Sequence, residues 1–252
     1  MEYAVLVDPA KCIGCRACQV ACKRWNNRPA ESTMFNSDWT NPPDLSFQTY
    51  THIRFKLERD ETTGDVKWRF FNWRCMHCKN PACMEACPVN AITKREEGPV
   101  VINLDRCIGC KFCVSACPFN IPKFDPVAGK VDKCHMCYDR IPFKEPACVQ
   151  SCPTDALMFG DRVSILEKAK KRAKDLSGYI YGDVENKPLG GTSFIYVLED
   201  RPEAFGLPEV GEKIPLTVPV IKYSKWLVIP AVIGGLLYLV AWRKRRMEER
   251  RE

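Results

Sequence analysis

The apolar positions fall into short, differently spaced groups. Tyr3 to Val7 is a continuous apolar run stopped by Asp8, the pattern of a short strand. Residues His52 to Glu58 and Val66 to Phe71 alternate, with a turn near Thr63-Gly64, and predict a hairpin. Asp161 stands as a helix cap. Val163, Leu166, Ala169 and Ala173 recur behind it at helical spacing to about Leu176, opposite a face rich in lysine. Thr192 to Leu198 predicts one more strand, and the prolines at 202, 208, 215 and 219 mark residues 199–219 as a covering loop or linker. The last pattern differs in kind. Trp226 to Trp242 contains no charged residue, and counted from Tyr223 the stretch is long enough as a helix to span about 30 Å. Tyr223, Trp226 and Trp242 flank it as an aromatic belt would, and Pro230 lies near its first turn.

Composition changes this picture at one residue type. Among 252 residues there are 16 cysteines against 3 histidines and 7 methionines. They form four tight runs: Cys12, Cys15, Cys18, Cys22; Cys75, Cys78, Cys83, Cys87; Cys107, Cys110, Cys113, Cys117; and Cys134, Cys137, Cys148, Cys152. The runs repeat. Cys12-Ile13-Gly14-Cys15 returns as Cys107-Ile108-Gly109-Cys110, and Cys87-Pro88-Val89-Asn90-Ala91-Ile92 as Cys152-Pro153-Thr154-Asp155-Ala156-Leu157. The second pair of similar runs (two and three) is nested inside the first (one and four).

A [4Fe–4S] cube takes one thiolate per iron. C-x2-C-x2-C supplies three from one loop, and a fourth cysteine, often followed by proline, serves the neighbouring cube. Run three fits in full, with Pro118 after Cys117, whereas run one has Lys23 at that place. Gly14 and Gly109 suit the tight turn that backbone N–H···S bonds require. The nesting then predicts four clusters, on Cys12, Cys15, Cys18 and Cys152; on Cys22, Cys134, Cys137 and Cys148; on Cys75, Cys78, Cys83 and Cys117; and on Cys87, Cys107, Cys110 and Cys113. Every iron is then matched to a cysteine. Four-cysteine zinc sites use two C-x2-C pairs, not three cysteines in seven residues, and disulfides do not suit repeated x2 neighbours. The formal net charge of +7 is roughly offset by clusters carrying about −2 each, so it does not call for a nucleic-acid partner. His77 and His135 read as packing or solvent-edge residues, Trp25, Trp39, Trp68 and Trp73 as core or interface, and Lys168, Lys170, Lys171 and Lys174 as a solvated face. No dinucleotide fingerprint, phosphate loop, H-E-x-x-H or C-x3-C-x2-C triplet occurs, and no catalytic residue is expected.

Taken together, Cys12 to Cys22, Trp25-Asn26, Cys75-Met76-His77-Cys78, Cys117-Pro118-Phe119-Asn120-Ile121-Pro122, Glu145-Pro146-Ala147-Cys148-Val149 and Gly190-Gly191-Thr192 resemble the iron–sulfur (beta) subunits of membrane-bound respiratory formate dehydrogenases, within the four-cluster ferredoxin-like subunits of molybdopterin oxidoreductases. The fold expected is α+β: two nested bacterial-ferredoxin-like two-cluster domains, a β-hairpin-containing insertion and one C-terminal transmembrane helix. The units are 1–30 with 118–160, 75–117 inside them, the insertion 31–74, a helix, strand and linker over 161–219, the membrane helix 220–243 and a basic tail 244–252. The resemblance implies an electron-transfer subunit without catalysis of its own. Its partners would be a Mo- or W-bis-pterin catalytic (alpha) subunit that oxidises formate and a membrane cytochrome b (gamma) subunit; a hydrogenase or another molybdopterin complex is the alternative setting. Arg243, Lys244, Arg245 and Arg246 after the span, against Lys222 and Lys225 before it, put the C-terminus in the cytoplasm and the cluster domain on the periplasmic side of the inner membrane. No export signal is visible at the N-terminus, so a folded cluster domain would cross with a signal-bearing partner.

Overall fold

A computed structural model describes residues 1–34, 39–59, 63–183, 188–211, 214 and 217–248. It divides into two compact units, Met1–Ile214 and Pro215–Glu252.

The first unit is organised on a four-stranded sheet in the order β8 (Leu157–Asp161), β1 (Tyr3–Val7), β10 (Phe194–Leu198), β9 (Tyr179–Tyr181). Strands β1 and β10 are parallel, with Val5 opposite Phe194 and Val7 opposite Tyr196. Their neighbours run antiparallel, β8 beside β1 and β9 beside β10. All five residues of β10 are buried, as a central strand covered on both faces must be. One face carries Ala4, Leu6, Ile195 and Val197 against helix α5 (Arg162–Asp175). The other carries Val5, Val7, Phe194, Tyr196 and Leu198 into the core that holds Cys18, Cys75, Cys134 and Cys148. The sheet therefore backs the cysteine region directly.

Helix α5 starts where expected. The Asp161 side chain accepts hydrogen bonds from the amides of Val163 and Ser164. Its buried stripe, however, is Ile165, Ala169 and Ala173, spaced four apart, while Val163 is exposed. The apolar period is set one step differently from the expected Val163, Leu166, Ala169 and Ala173, because Val163 in the first turn points off the sheet-facing side. Arg172 closes the packing with a 2.8 Å bond to the fully buried Asp8.

The hairpin is longer than its alternation indicates. Strands β2 (Thr51–Arg59) and β3 (Val66–Arg74) pair antiparallel, and β3 runs on until it touches the second cysteine run. Its outer half is exposed and its inner half buried. Buried Arg69 ties the two strands together through Glu58 (2.5 Å) and fastens the hairpin to the segment after β10 through Asp200 (2.6 Å). Residues 199–211 do cover the core, with Phe205 and Leu207 buried in it.

Two small hairpins complete the unit, β4 (Ile92–Lys94) with β5 (Val100–Ile102), and β6 (Lys123–Asp125) with β7 (Lys130–Asp132). Short helices pack in the nested order. Helix α1 (Ala17–Trp25) lies on α4 (Ala147–Gln150), and α2 (Ala82–Glu85) on α3 (Phe112–Ala116). Val131 and Phe124 of the β6–β7 hairpin pack with Cys83, Cys87 and Cys113. This hairpin thus belongs to the core of the inner unit, although the repeat in the sequence puts residues from 118 onward in the outer one.

The second unit carries helix α6 (Thr217–Glu248), which includes Pro230. Among the described residues no helix is long and apolar enough to cross a membrane. The expected span, 220–243, falls partly outside them, since nothing is described for the side chains of 220–229.

Ile195 is fully buried between the sheet and α5, so Ile195→Ala is expected to cost about 2–5 kcal/mol. Val163→Ala should stay within about 0.5 kcal/mol. Denaturant titration of the two variants, followed by circular dichroism, checks the pair.

Candidate functional site

The cysteine loops are built twice from the same backbone. In the first, Gly14 (φ +68°) and Arg16 (φ +61°) take left-handed conformations; in the second, Gly109 (φ +68°) and Lys111 (φ +63°) do. The turn folds the loop back and launches α1 and α3 directly behind it. Gly109 has no substitute, because a Cβ there would stand 2.1 Å from the carbonyl oxygen of Gly129. The exits of runs two, three and four repeat as well. Asn90, Asn120 and Asp155 all sit at φ near +50°, a conformation that Asn and Asp tolerate best after glycine. Asn120 returns its amide to the Cys117 carbonyl at 3.0 Å.

All sixteen thiols are free. Cys12, Cys15, Cys18 and Cys152 line one cavity. Cys22, Cys134, Cys137 and Cys148 line a second, and Cys87, Cys107, Cys110 and Cys113 a third. Cys78 has Cys75, Cys83 and Cys117 as its electrostatic neighbours, which completes a fourth group. The structure thus brings the cysteines together in four sets. It also orders them. Cys18 of the first set neighbours Cys148 of the second, Cys134 neighbours Cys75 of the third, and Cys83 neighbours Cys113 of the fourth. The sets form a line. At its two ends Cys15 and Cys110 are exposed, whereas all four cysteines of the second set are buried.

Burial and mutual repulsion dominate the electrostatics. Burial first, then neighbouring sulfurs, pushes Cys18, Cys113, Cys134 and Cys137 up to about 12 and Cys117 to about 11. Such thiols stay protonated at neutral pH unless a strong positive charge enters among them, and metal ligation supplies that charge. Some of it is already built in. Arg74 is completely buried and donates from Nη1 to Cys148 Sγ at 2.7 Å, while its Nη2 has no partner. Asn72 Nδ2 donates to Cys18 Sγ at 3.1 Å, and Asn26 Nδ2 reaches Cys22 Sγ at 3.5 Å. Backbone amides of Ala91 and Met136 point at Cys87 and Cys134. Buried Lys133 donates to the carbonyls of Val100 and Cys134. Burial works against its charge, and the sulfurs of Cys75, Cys83 and Cys134 hold its pKa up. Among the described residues no three His, Cys, Asp or Glu side chains could hold a single metal ion. Sulfurs ringing a void, with N–H donors aimed at them, are a donor set for a polynuclear thiolate cluster.

The histidines keep the packing role expected of them. His77 is fully buried, and its Nδ1 accepts the Val100 amide at 2.9 Å. Burial lowers its pKa well below the usual range, so the ring is neutral with its proton on Nε2. His135 lies half-buried beside Asn26 and the Tyr138 ring. Of the tryptophans at 25, 39, 68 and 73, Trp73 is core, and Trp25, Trp39 and Trp68 are partly exposed. The lysines of α5 are exposed, as expected. The cysteine pattern gives no hint of Asn72, Arg74 or Lys133. A signal is nevertheless present, since a cation precedes the first cysteine of every run: Lys11, Arg74, Arg106 and Lys133. Only Arg74 and Lys133 of these are buried, and the one-dimensional pattern does not separate them from the other two.

Two domain families, both described as 4Fe-4S dicluster domains, match residues 11–91 and 66–162. The chain is 42% identical over 216 residues to the iron–sulfur subunit of the nitrate-inducible formate dehydrogenase of Escherichia coli K12, covering 82% of this chain and 73% of that protein. It is 39% identical over 245 residues to the formate dehydrogenase iron–sulfur subunit of Haemophilus influenzae, covering 94% and 78%. To one polypeptide of the E. coli anaerobic dimethyl sulfoxide reductase it is 35% identical, over 70% of this chain and 80% of that protein. Repeated cysteine loops, thiols gathered in sets and these matches agree: the chain belongs to the family of formate dehydrogenase iron–sulfur subunits.

Proposed function

We propose that the chain carries electrons through four [4Fe–4S] clusters from a formate-oxidising Mo- or W-pterin catalytic subunit to a membrane cytochrome b, and catalyses no reaction itself. The linear order of the four cysteine sets, with an exposed cysteine at each end, carries this reading. Bound clusters would supply reversible one-electron storage at each step. The first set, Cys12, Cys15, Cys18 and Cys152, holds one terminal cluster, and Cys87, Cys107, Cys110 and Cys113 hold the other. Cys22, Cys134, Cys137 and Cys148, then Cys75, Cys78, Cys83 and Cys117, hold the two between them. Each set offers four thiolates, so no iron is left open to substrate. The protein excludes water from the interior sets and aims N–H donors at their sulfurs, both of which tune the potentials. The likeness to a dimethyl sulfoxide reductase polypeptide supports a second setting, the same wire serving a terminal reductase.

Helix α6 is proposed as the anchor, single-pass in the inner membrane. It leaves Val232, Ile233, Leu236, Leu237, Leu239 and Val240 more than half exposed, immediately before Arg243 to Arg246. An apolar exposed face of this kind is stable in lipid, and the basic end favours the cytoplasmic side. The cluster unit then lies on the periplasmic side.

Anaerobic purification with copurifying subunits is expected to give about sixteen iron atoms per chain, together with Mo or W and bleaching of the iron–sulfur absorbance by formate. Nickel would move the wire to a hydrogenase, reduction by no formate but oxidation by a sulfoxide would favour the reductase setting, and zinc with little iron would overturn the proposal. Gly109→Ala is expected to lose one cluster, about four iron atoms, while Gly64→Ala, whose Cβ meets nothing within 4 Å, keeps the full count. Cutting the chain after Ile214 should release the clusters to the soluble fraction; their staying with washed membranes would show that a partner, not α6, is the anchor.

A further inference from the structure

The junction between the first two cysteine sets contains a continuous polar path. Asn72 lines the cavity of the first set and Arg74 that of the second. They stand two apart on β3, so their side chains leave the same face of the strand. From the first set, Cys18 Sγ accepts from Asn72 Nδ2 at 3.1 Å. Asn72 Oδ1 then accepts from Arg74 Nε, and Arg74 Nη1 donates to Cys148 Sγ at 2.7 Å. The orientation of the amide is fixed, because Oδ1 also receives the Thr51 hydroxyl at 3.0 Å and only Nδ2 remains to face the sulfur. Tyr196 holds the strand from behind through the Asn72 carbonyl at 2.8 Å. Both residues are buried, Arg74 completely.

A fully desolvated guanidinium is costly unless its donors are satisfied by negative charge. Among the described residues no carboxylate contacts it. Its hydrogen-bond partners are the Asn72 amide and a cysteine sulfur, its plane lies over the Phe194 ring at 4.5 Å, and Nη2 is left without a hydrogen-bond partner among the described residues, beside the second cavity. Its counter-charge must therefore come from the thiolates and the group that they bind. Donors and positive charge at a ligand sulfur stabilise the reduced, more negative state of a cluster and so raise its potential. Resting on the four-cluster reading, we infer that Asn72 and Arg74 form a hydrogen-bonded bridge between the first and second clusters, holding both at raised potential and giving electrons a bonded path between them. The hairpin, which reads in the sequence as an insertion into the repeat, is what delivers this bridge. Asn72 and Arg74 are tuning residues; they touch ligand sulfurs and take no part in the oxidation of a substrate.

The test is a redox titration of the purified complex, followed by electron paramagnetic resonance, for Arg74→Met, Arg74→Lys and Asn72→Leu, with iron counted in each. In Arg74→Met two of the four midpoints are expected to move to more negative potential and two to stay. Asn72→Leu should move chiefly the midpoint of the first cluster, and Arg74→Lys should restore that of the second in part, since it keeps the charge but cannot reach both partners. Full iron with all four midpoints unmoved, or all four shifted alike, overturns the bridge and leaves the wire intact. Absence of iron in the unaltered complex would instead overturn the four-cluster reading. If Arg74→Met fails to load, Arg74→Lys and Asn72→Leu still decide the matter by the same midpoints.

Discussion

Everything in the larger unit answers to one constraint: sulfur atoms that repel each other as thiolates have to be gathered in sets of four, more than half of them buried. Burial first, then neighbouring charge, pushes the thiols of Cys18, Cys134 and Cys137 up to about 12. A cluster must therefore find its ligands already gathered, and their charge must be offset from several sides. The chain meets this with repeated left-handed turns, with amides and Asn side chains directed at sulfur, and with buried cations, Arg74 and Lys133 among them. The four-stranded sheet supplies the rigid wall behind them, and its central strand β10 has no exposed residue.

The two cations divide the task. Arg74 contacts a ligand sulfur directly. Lys133 donates to carbonyl oxygens, yet it lies among Cys75, Cys83 and Cys134, where the second and third sets meet. In addition it joins the Val100 carbonyl of the inner unit to the Cys134 carbonyl of the outer one, so charge compensation and mechanical attachment share one side chain. Both cations immediately precede the first cysteine of their run, so the residues that gather the sulfurs also bring in the charge that makes the gathering tolerable.

Much of this is legible in the sequence because cysteine spacing is a local code. A turn of fixed length can place three sulfurs around one cavity only in certain ways, and the nested repeat indicates which run completes which set. The α5 cap at Asp161 and the hairpin are readable for similar, short-range reasons. What stays hidden depends on distant partners. Nothing local shows that β10 inserts beside β1, or that the short Tyr179–Tyr181 segment becomes an edge strand. Val163 looks as apolar as Ile165, and only the sheet decides which is covered. Arg106 and Arg74 occupy equivalent places in the pattern, but one faces water and the other lies between two cavities.

The nesting of the four sets also fixes an order of manufacture. The third and fourth sets are complete once Cys117 has been synthesised, and they close short loops. The first set waits for Cys152, and strand β1, made before the other strands of its sheet, lacks its parallel neighbour until Leu198 exists. Closing the longer loops costs more chain entropy. A nascent chain can therefore finish the inner half of its wiring while the outer half still hangs open with Cys12, Cys15, Cys18 and Cys22 unprotected. During that interval Cys12, Cys15, Cys18 and Cys22 are more exposed to oxygen and stray metal than the cysteines of the inner sets.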